Sequence, residues 1–315
     1  MIAIFLFIIG ILIVLWSAER LTDGVLATAA AFSASAFFIG VLVSGFEPEN
    51  LVTGLVANFE ELPQVALGTV IGAAIFMLLG GFGAALLIVP MKVEIPRSGA
   101  LAMMLSLFPF GWVLLNDEVV SRSEGLLLVF VCVALMAWLY RTSPVLLTAR
   151  SHDEAEVAME KPPSRLPALV LVVAGSVGLI IGGELLVRGA AGIIQRFDIS
   201  ETFFGMTVVA IGESLEETAR MVSPARRGHF DVALANVVGT TIILLTVNLG
   251  LIALLRPILV DPWVLKFHTP FLIGCVLLVG ALLAMTKRLT RWMGAMLILL
   301  YALYVGINLF MEWSR

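Results

Sequence analysis

The sequence predicts an all-α integral membrane protein whose ten transmembrane helices form two inverted five-helix repeats. Three observations carry this prediction: the composition, the length of the uncharged apolar runs, and an internal repeat. The chain has 315 residues, 60% hydrophobic and 13% charged, with a mean hydropathy of +1.07. Soluble domains carry about 25% charged residues. The composition therefore excludes an ordinary cytosolic fold and a nucleic-acid-binding protein, and it makes the lipid bilayer a partner of the chain.

Uncharged apolar runs long enough to form membrane helices recur along the whole chain. A bilayer core takes about 20 helical residues. The runs that contain no Asp, Glu, Lys or Arg are 62–91, 98–116, 125–140, 166–183, 232–255, 267–286 and 292–311. Two further apolar regions, 2–54 and 202–222, are interrupted by acids, and the first is long enough for two helices. The sequence thus predicts five helices before the polar stretch 141–165 and five after it.

This polar stretch divides the chain into three parts. We predict a first five-helix repeat at residues 1–141, a solvated linker at 142–165 and a second five-helix repeat at 166–315. The linker contains Pro144 and Pro162 and is too short and too polar to form a domain of its own.

The distribution of Lys and Arg predicts the orientation. With ten alternating spans and both termini outside, the inner loops hold 13 of the 19 basic residues, and Arg220 is counted among them. Basic loops are retained in the cytoplasm, so the linker is predicted to be cytoplasmic. This bias, together with the lack of a transit peptide, favours a prokaryotic plasma (inner) membrane.

An internal repeat relates the two halves by an offset of 167 residues. This offset places residues 37–75 on 204–242, with 10 of 39 positions identical. Glu49 then falls on Glu216. Because each half has an odd number of spans, the second copy is inverted in the membrane. Inverted repeats are typical of secondary transporters with a binding site near the bilayer midplane.

Two acidic clusters lie within apolar regions at equivalent points of the repeats. The first is at residues 44–50 (SGFEPEN) and the second at 210–218 (AIGESLEET). One carboxylate at the bilayer centre costs about 2.5–3.5 kcal/mol, so symmetric clusters favour a cation or proton path. For Glu49 and Glu216, a position among the lipid headgroups or a role in helix packing remains an equal alternative.

The spacing within the clusters indicates which side chains share a helix face. Glu213 and Glu217 are four residues apart, and Glu47 and Asn50 are three apart. Pro48 removes a backbone donor, so a helix break there would free carbonyl oxygens for a cation. A hard cation such as Ca²⁺ takes about six to eight oxygen ligands.

The second cluster and the residues after it resemble the α-repeat of the cation/calcium exchanger superfamily, which includes Na⁺/Ca²⁺ and H⁺/Ca²⁺ exchangers. The segment 205–217 (GMTVVAIGESLEE) is similar to the family pattern G-x-T-x-x-A-x-G-T-S-x-P-E, and 231–242 is similar to its following helix. The resemblance implies a sodium/calcium-exchanger-like fold, with α-repeats at about 37–80 and 204–250. It also implies that the first and sixth helices move against the others.

The resemblance also implies a set of ion ligands in the second repeat. Glu217 takes the position of the ion-binding glutamate, and Ser214 that of the motif serine. Thr240 takes the position of the serine in the following helix, and Asn236 matches an amide there.

In the first repeat, two alignments with the family motif give different ligands. The offset puts Asn50 at the position of the other central glutamate and Glu47 at the motif serine, whereas a shift of one residue would make Glu49 the ligand instead. The predicted metal-ligating residues are Glu47, Glu49, Asn50, Glu213, Ser214, Glu217, Asn236 and Thr240.

The sequence also departs from the family pattern. Glu213 replaces the motif threonine and Glu216 the proline, while Ala73 and Met77 stand where a serine and an asparagine are expected. Side-chain oxygens are thus fewer, and carboxylates are redistributed. Because Glu213 and Glu217 repel each other when both are ionised, the pattern favours H⁺ coupling over Na⁺ coupling.

The predicted function is a secondary active cation antiporter that exchanges Ca²⁺, or a related cation, for H⁺ or Na⁺ by alternating access at a midplane glutamate site. Its partners are small inorganic cations, and no cofactor is expected. The alternatives are a monovalent Na⁺/H⁺ antiporter on the same scaffold and a passive cation channel. An intramembrane enzyme is disfavoured, because no HExxH motif is present and all three histidines, including His268, are expected in water.

Overall fold

The computed structural model describes residues 1–31, 47–142 and 165–314, and these residues are almost entirely helical. Most of the predicted linker, together with Ser44, Gly45 and Phe46 of the first acidic cluster, lies outside the described residues. Within the described ranges, eight helical stretches are long and apolar enough to cross a membrane.

Ten helices follow one another along the described parts of the chain. In the first half they are α1 (Ile2–Ala31), α2 (Pro48–Phe59), α3 (Pro63–Ile88), α4 (Arg97–Leu105 and Leu107–Asn116) and α5 (Arg122–Thr142). In the second half they are α6 (Arg165–Phe197), α7 (201–226), α8 (Phe230–Leu255), α9 (Val264–Met285) and α10 (Arg291–Trp313). The described part of the first acidic segment lies at the start of α2, and the second acidic segment lies on α7.

Two short strand pairs reveal the symmetry of the halves. Strand β1 (Met91–Lys92) follows α3 and pairs with β4 (Arg288–Leu289), which follows α9. Strand β2 (Val119–Val120) follows α4 and pairs with β3 (Ile258–Leu259), which follows α8. Both pairs are antiparallel, and the offset of 167 residues carries β1 onto β3. Each pair is therefore the counterpart of the other.

Helix packing repeats this symmetry at pairs of glycines. A Cβ on Gly83 of α3 would lie 3.0 Å from the carbonyl oxygen of Gly294 on α10, and one on Gly250 of α8 would lie 2.7 Å from that of Gly125 on α5. The offset carries Gly83 onto Gly250, so the α3–α10 and α8–α5 contacts are equivalent. Small residues permit such close approach of membrane helices. The predicted fold of two inverted five-helix repeats is confirmed.

Helices α3 and α8 form the centre of the protein. In their most apolar stretches 78% of the residues are buried, against 28% in α1 and 33% in α6. Each central helix contains a π-helical segment, at Phe76–Gly81 in α3 and at Leu244–Asn248 in α8. The repeat offset superimposes these segments, and π-turns are frequent at functional sites.

Helices α1 and α6 lie antiparallel to each other at the periphery. A Cβ on Gly10 of α1 would come within 2.6 Å of the Cα of Leu186, and one on Gly175 of α6 within 2.6 Å of the backbone nitrogen of Leu21. Glycines thus line both sides of this contact, and the two backbones touch along a surface without large interlocking side chains.

His268 corrects the expectation that every histidine lies in water. Its side chain is fully buried in α9, and its Nδ1 lies 2.8 Å from the phenol oxygen of Tyr304 on α10. The reason is that α9 begins at Val264, one turn before its uncharged run, and aromatic side chains of α10 cover this first turn. His229 is exposed, as expected, and His152 lies outside the described residues.

Candidate cation site

One face of α7 carries three of the predicted site residues into the interior. Buried residues recur on this helix at Ala210, Glu213, Ser214, Glu217 and Met221, with the spacing of three and four that defines a helix face. The three polar side chains are at most 1% exposed. A charged residue buried to this degree requires partners close by.

Helix α2 begins at the first acidic cluster, as the proline predicts. Pro48 is the first helical residue, and Glu47 before it has a non-helical backbone (φ −117°, ψ 71°). Proline is well suited to this position because its missing N–H has no helical partner there. The carbonyl oxygen of Glu47 accepts hydrogen bonds from the backbone of Leu51 at 3.1 Å and from Nδ2 of Asn248 at 3.4 Å. This carbonyl is therefore engaged. The carbonyl that loses its helical donor at Pro48 is that of residue 44, which lies outside the described residues, so the prediction of freed carbonyls stays a prediction.

Three carboxylates from the two halves meet between α2 and α7. One oxygen from each of Glu47, Glu49 and Glu217 lies within 4.8 Å of the others, and all three side chains are buried. From here on, the term acidic cluster means these three residues and not the two sequence segments 44–50 and 210–218. Both oxygens of Glu49 have no hydrogen-bond donor among the described residues. Like charges this close and this deeply buried favour the binding of a positive ion between them.

Helix α8 contributes two polar side chains that join the halves. Nδ2 of Asn236 donates to Oε2 of Glu217 at 2.5 Å. The hydroxyl of Thr240, one turn later, lies 2.9 Å from Oε1 of Glu47 and 3.5 Å from Oε2 of Glu217. Thr240 thus bridges carboxylates from both repeats. Oδ1 of Asn236 has no partner among the described residues, so it remains available as an oxygen ligand.

Glu213 and Asn50 lie beside the acidic cluster rather than within it. With its amide nitrogen turned toward α7, Asn50 donates to Oε2 of Glu213 at 3.2 Å and to the carbonyl oxygen of Thr69 at 2.9 Å. The opposite orientation offers only a 3.4 Å bond to Oε2 of Glu47. We adopt the first orientation because it makes two shorter bonds. It directs the amide oxygen of Asn50 toward Glu47.

Arg220 was counted among the basic residues of the inner loops, and the structure corrects this placement. It lies within α7, its side chain is only 18% exposed, and its Nη1 lies 2.7 Å from Oε1 of Glu217 and 3.9 Å from Oε1 of Glu47. Its Nη2 lies 2.5 Å from Oε1 of Glu216. The signal in the sequence was the spacing, since Arg220 follows Glu217 by three residues and Glu216 by four, as helical ion pairs do.

Similarity to known proteins identifies the family of this chain. The sequence matches the family described as sodium/calcium exchanger protein over residues 2–141 and 167–310. The chain belongs to this family. It is therefore an integral membrane cation transporter of the sodium/calcium exchanger type, and its family and fold are those of ion exchangers rather than of catalysts.

Relatives of this exchanger match it over different lengths. The putative antiporter CaxA of Alkalimonas amylolytica is 27% identical over 94% of this chain and 95% of its own. The inner membrane protein YrbG of Escherichia coli strain K12 is 29% identical over 82% of this chain and 81% of its own. The sodium/calcium exchanger MaX1 of Methanosarcina acetivorans is 31% identical, but over 43% of this chain and 39% of its own.

The solved structure of the sodium-calcium exchanger NCX_Mj shares the fold of this exchanger. The TM-score is 0.63, with 22% sequence identity over 97% of this chain and 98% of the other.

The structure brings five of the eight predicted site residues together and places the other three beside them. Those that meet across the two halves are Glu47, Glu49, Glu217, Asn236 and Thr240. Glu213 and Asn50 form the adjoining group, and Ser214 is buried on the same face of α7, one turn before Glu217. Sequence reasoning missed Arg220 and Asn248. Arg220 was marked by its helical spacing from Glu216 and Glu217, whereas Asn248 lies in the uncharged run 232–255, where no pattern marked it.

Proposed function

We propose that this exchanger is a secondary active antiporter that moves Ca²⁺, or a related cation, in exchange for H⁺ or Na⁺. The acidic cluster of Glu47, Glu49 and Glu217 is its binding site, and alternating access exposes that cluster to each side of the membrane in turn. The observation that carries this proposal is the meeting of three buried carboxylates, contributed by two inverted halves, within 4.8 Å.

The donor set suits a hard cation. The cluster offers three carboxylates, and the hydroxyl of Thr240, Oδ1 of Asn236 and the amide oxygen of Asn50 lie around it. Together these supply about the six oxygens that Ca²⁺ requires at minimum. Glu213, next to Asn50, is a fourth carboxylate that a proton can occupy. The names of the relatives, which include an antiporter and a sodium/calcium exchanger, support the same assignment.

Alternating access is supported by the packing of α1 and α6. Gly183 of α6 lies over α2, where its added Cβ would be 3.7 Å from Val52 and 3.8 Å from the Cα of Thr53. An added Cβ on Gly212 of α7 would lie 2.6 Å from Cδ1 of Ile11 on α1. The two peripheral helices therefore cover the two helices of the site. A sliding motion of the α1–α6 pair would open one side of the site while closing the other.

We further propose that the exchanger lies in a prokaryotic plasma membrane, with both termini outside and the linker at 142–165 in the cytoplasm. The excess of basic residues in the inner loops supports this orientation. The relative from Escherichia coli described as an inner membrane protein is consistent with the location.

Transport in vesicles tests the proposed function. The purified protein is reconstituted, loaded inside with either Na⁺ or an acidic buffer, and diluted into radioactive Ca²⁺. Uptake that depends on one of these outward gradients identifies the counter-ion. Uptake of radioactive Na⁺ driven by a pH gradient, without Ca²⁺ uptake, would instead identify a monovalent Na⁺/H⁺ antiporter. An uncoupled leak of several ions would contradict exchange.

Thr240 and Thr241 form a matched pair for testing the assigned ligands. Thr240→Val removes a hydroxyl that contacts two carboxylates of the site, whereas the hydroxyl of Thr241 donates to the carbonyl oxygen of Val237 in its own helix at 2.7 Å. A hydrogen bond to a charged group contributes about 1.5–3 kcal/mol. We expect Thr240→Val to raise the half-saturating Ca²⁺ concentration of uptake by about tenfold or more, as the low end of that range implies.

Thr241→Val is the control for this measurement and should leave the half-saturating concentration within about twofold. Equal effects of the two substitutions would contradict the assignment of Thr240 to the site.

A further inference from the structure

The acidic cluster has a positively charged side chain of the protein beside it, that of Arg220. The guanidinium of Arg220 lies 2.7 Å from a carboxylate oxygen of Glu217 and 3.9 Å from one of Glu47. These are two of the three carboxylates that form the proposed binding site. A transported cation and the guanidinium therefore require the same oxygens.

The charge of the unloaded site explains why this matters. Three carboxylates within 4.8 Å of one another, buried in the protein interior, are costly to leave uncompensated. In a strict exchanger this cost prevents the empty site from passing from one side to the other, so each crossing requires a bound ion. A positive charge attached to the protein removes part of that cost.

The surroundings of Arg220 give its side chain two alternative partners. Nη1 faces Glu217 in the cluster, while Nη2 lies 2.5 Å from Glu216, which is outside the cluster and whose side chain is 23% exposed. The guanidinium can therefore withdraw from Glu217 while keeping an ion pair with Glu216.

We propose that Arg220 is a tethered counter-cation of the site. It neutralises the acidic cluster when no ion is bound, and the arriving cation displaces it toward Glu216. The unloaded carrier can then return without a counter-ion, so the protein carries out net cation uptake as well as exchange. This inference rests on the proposed function, because it concerns the same binding site.

Vesicle transport with and without an internal counter-cation tests the proposal. Vesicles contain choline thiocyanate at pH 8 and are diluted into the same medium with radioactive Ca²⁺; thiocyanate that enters together with Ca²⁺ prevents a membrane potential from building up. Parallel vesicles contain Na⁺ or an acidic buffer. For the wild-type protein we expect uptake without a counter-cation to be at least about half of the exchange rate. For Arg220→Gln we expect net uptake to fall about tenfold or more relative to exchange, and the half-saturating Ca²⁺ concentration to decrease about tenfold.

Two variants serve as controls. Arg220→Lys retains the positive charge and should keep the wild-type ratio of net uptake to exchange. Arg226→Gln, at the exposed end of the same helix, should also keep it. A purely structural role of Arg220 would lower both modes of uptake together and leave their ratio unchanged.

The outcomes separate this inference from the proposed function. Wild-type uptake that requires an internal counter-cation would overturn the inference while supporting exchange, and this arm decides even if Arg220→Gln does not fold. An unchanged ratio in folded Arg220→Gln would overturn it as well. If the wild-type protein takes up no Ca²⁺ in any of the vesicles, the proposed function fails, and the inference fails with it.

Discussion

Glu217→Gln is expected to reduce gradient-driven Ca²⁺ uptake by about 100-fold or more, the largest effect that we predict at the site. Glu217 is the centre of the proposed site, because its carboxylate contacts Asn236, Thr240 and Arg220. Glutamine keeps the size and one acceptor oxygen but removes the negative charge. Loss of one charge from a close buried pair costs about 2–5 kcal/mol.

The measurement is the initial rate of radioactive Ca²⁺ uptake into vesicles under the gradient that drives the wild-type protein. Glu94→Gln, in the exposed turn between β1 and α4, is the matched control and should transport at the wild-type rate. Size-exclusion chromatography establishes that each variant is folded. Uptake by Glu217→Gln with the wild-type half-saturating concentration would remove Glu217 from the proposed site.

Gly68→Ala is expected to give the largest loss of stability. Gly68 of α3 crosses Gly205 of α7 with the backbones in contact, and a Cβ on Gly68 would lie 2.7 Å from the Cα of Gly205. The opposing atoms are backbone rather than flexible side chain, so α7 would have to move away from α3. Overpacking of this kind costs about 1–3 kcal/mol, which lowers the melting temperature by roughly 2–10 °C.

Gly274→Ala provides the control for this prediction, since a Cβ on Gly274 of α9 meets no atom within 4 Å. Alanine favours helix over glycine by up to about 1 kcal/mol, so its melting temperature should stay the same or rise slightly. Both are measured by thermal unfolding in detergent. Equal melting temperatures for the two variants would show that the α3–α7 crossing does not limit stability.

The close approach at Gly68 was predictable in kind from the sequence. Gly68 and Gly72 are four residues apart, a spacing that places two small residues on one helix face. The structure contains such a contact, since a Cβ on Gly72 would also meet the backbone of Met206 on α7. The identity of the partner helix does not follow from this spacing, because a glycine face fits any helix that presents a similarly smooth surface.

For the acidic residues, too, the sequence predicted the local structure but not the contacts between helices. The helix face formed by Glu213, Ser214 and Glu217 follows from their spacing, and the helix start at Pro48 follows from the chemistry of proline. The choice between Glu47 and Glu49 could not be made from the sequence. In the structure both side chains reach Glu217. Glu47 precedes the helix and has a non-helical backbone, so the direction of its side chain does not follow from helical spacing.

The electrostatic complement of the site was predictable only in part, because the spacing of Arg220 from Glu216 and Glu217 indicates an ion pair but not its burial. Arg220 was counted as a loop residue because basic side chains usually lie outside the bilayer, and His268 was placed in water for a similar reason. Arg220 pairs with Glu216 and Glu217 of its own helix and with Glu47 from the other half, and His268 contacts Tyr304 of α10. Hydropathy measures the cost of burying one residue alone and contains no information about a distant partner that offsets this cost.

The membrane location, the ten helices, the inverted repeat and the two acidic helices could all be predicted from the sequence, because they depend on hydropathy, helical periodicity and internal similarity along one chain. Only the tertiary structure decided which acids share a pocket, that Thr240 bridges the halves and that an arginine lies among the carboxylates. Those features depend on how closely helices from opposite repeats approach. That distance is determined by glycine contacts between backbones far apart in the sequence.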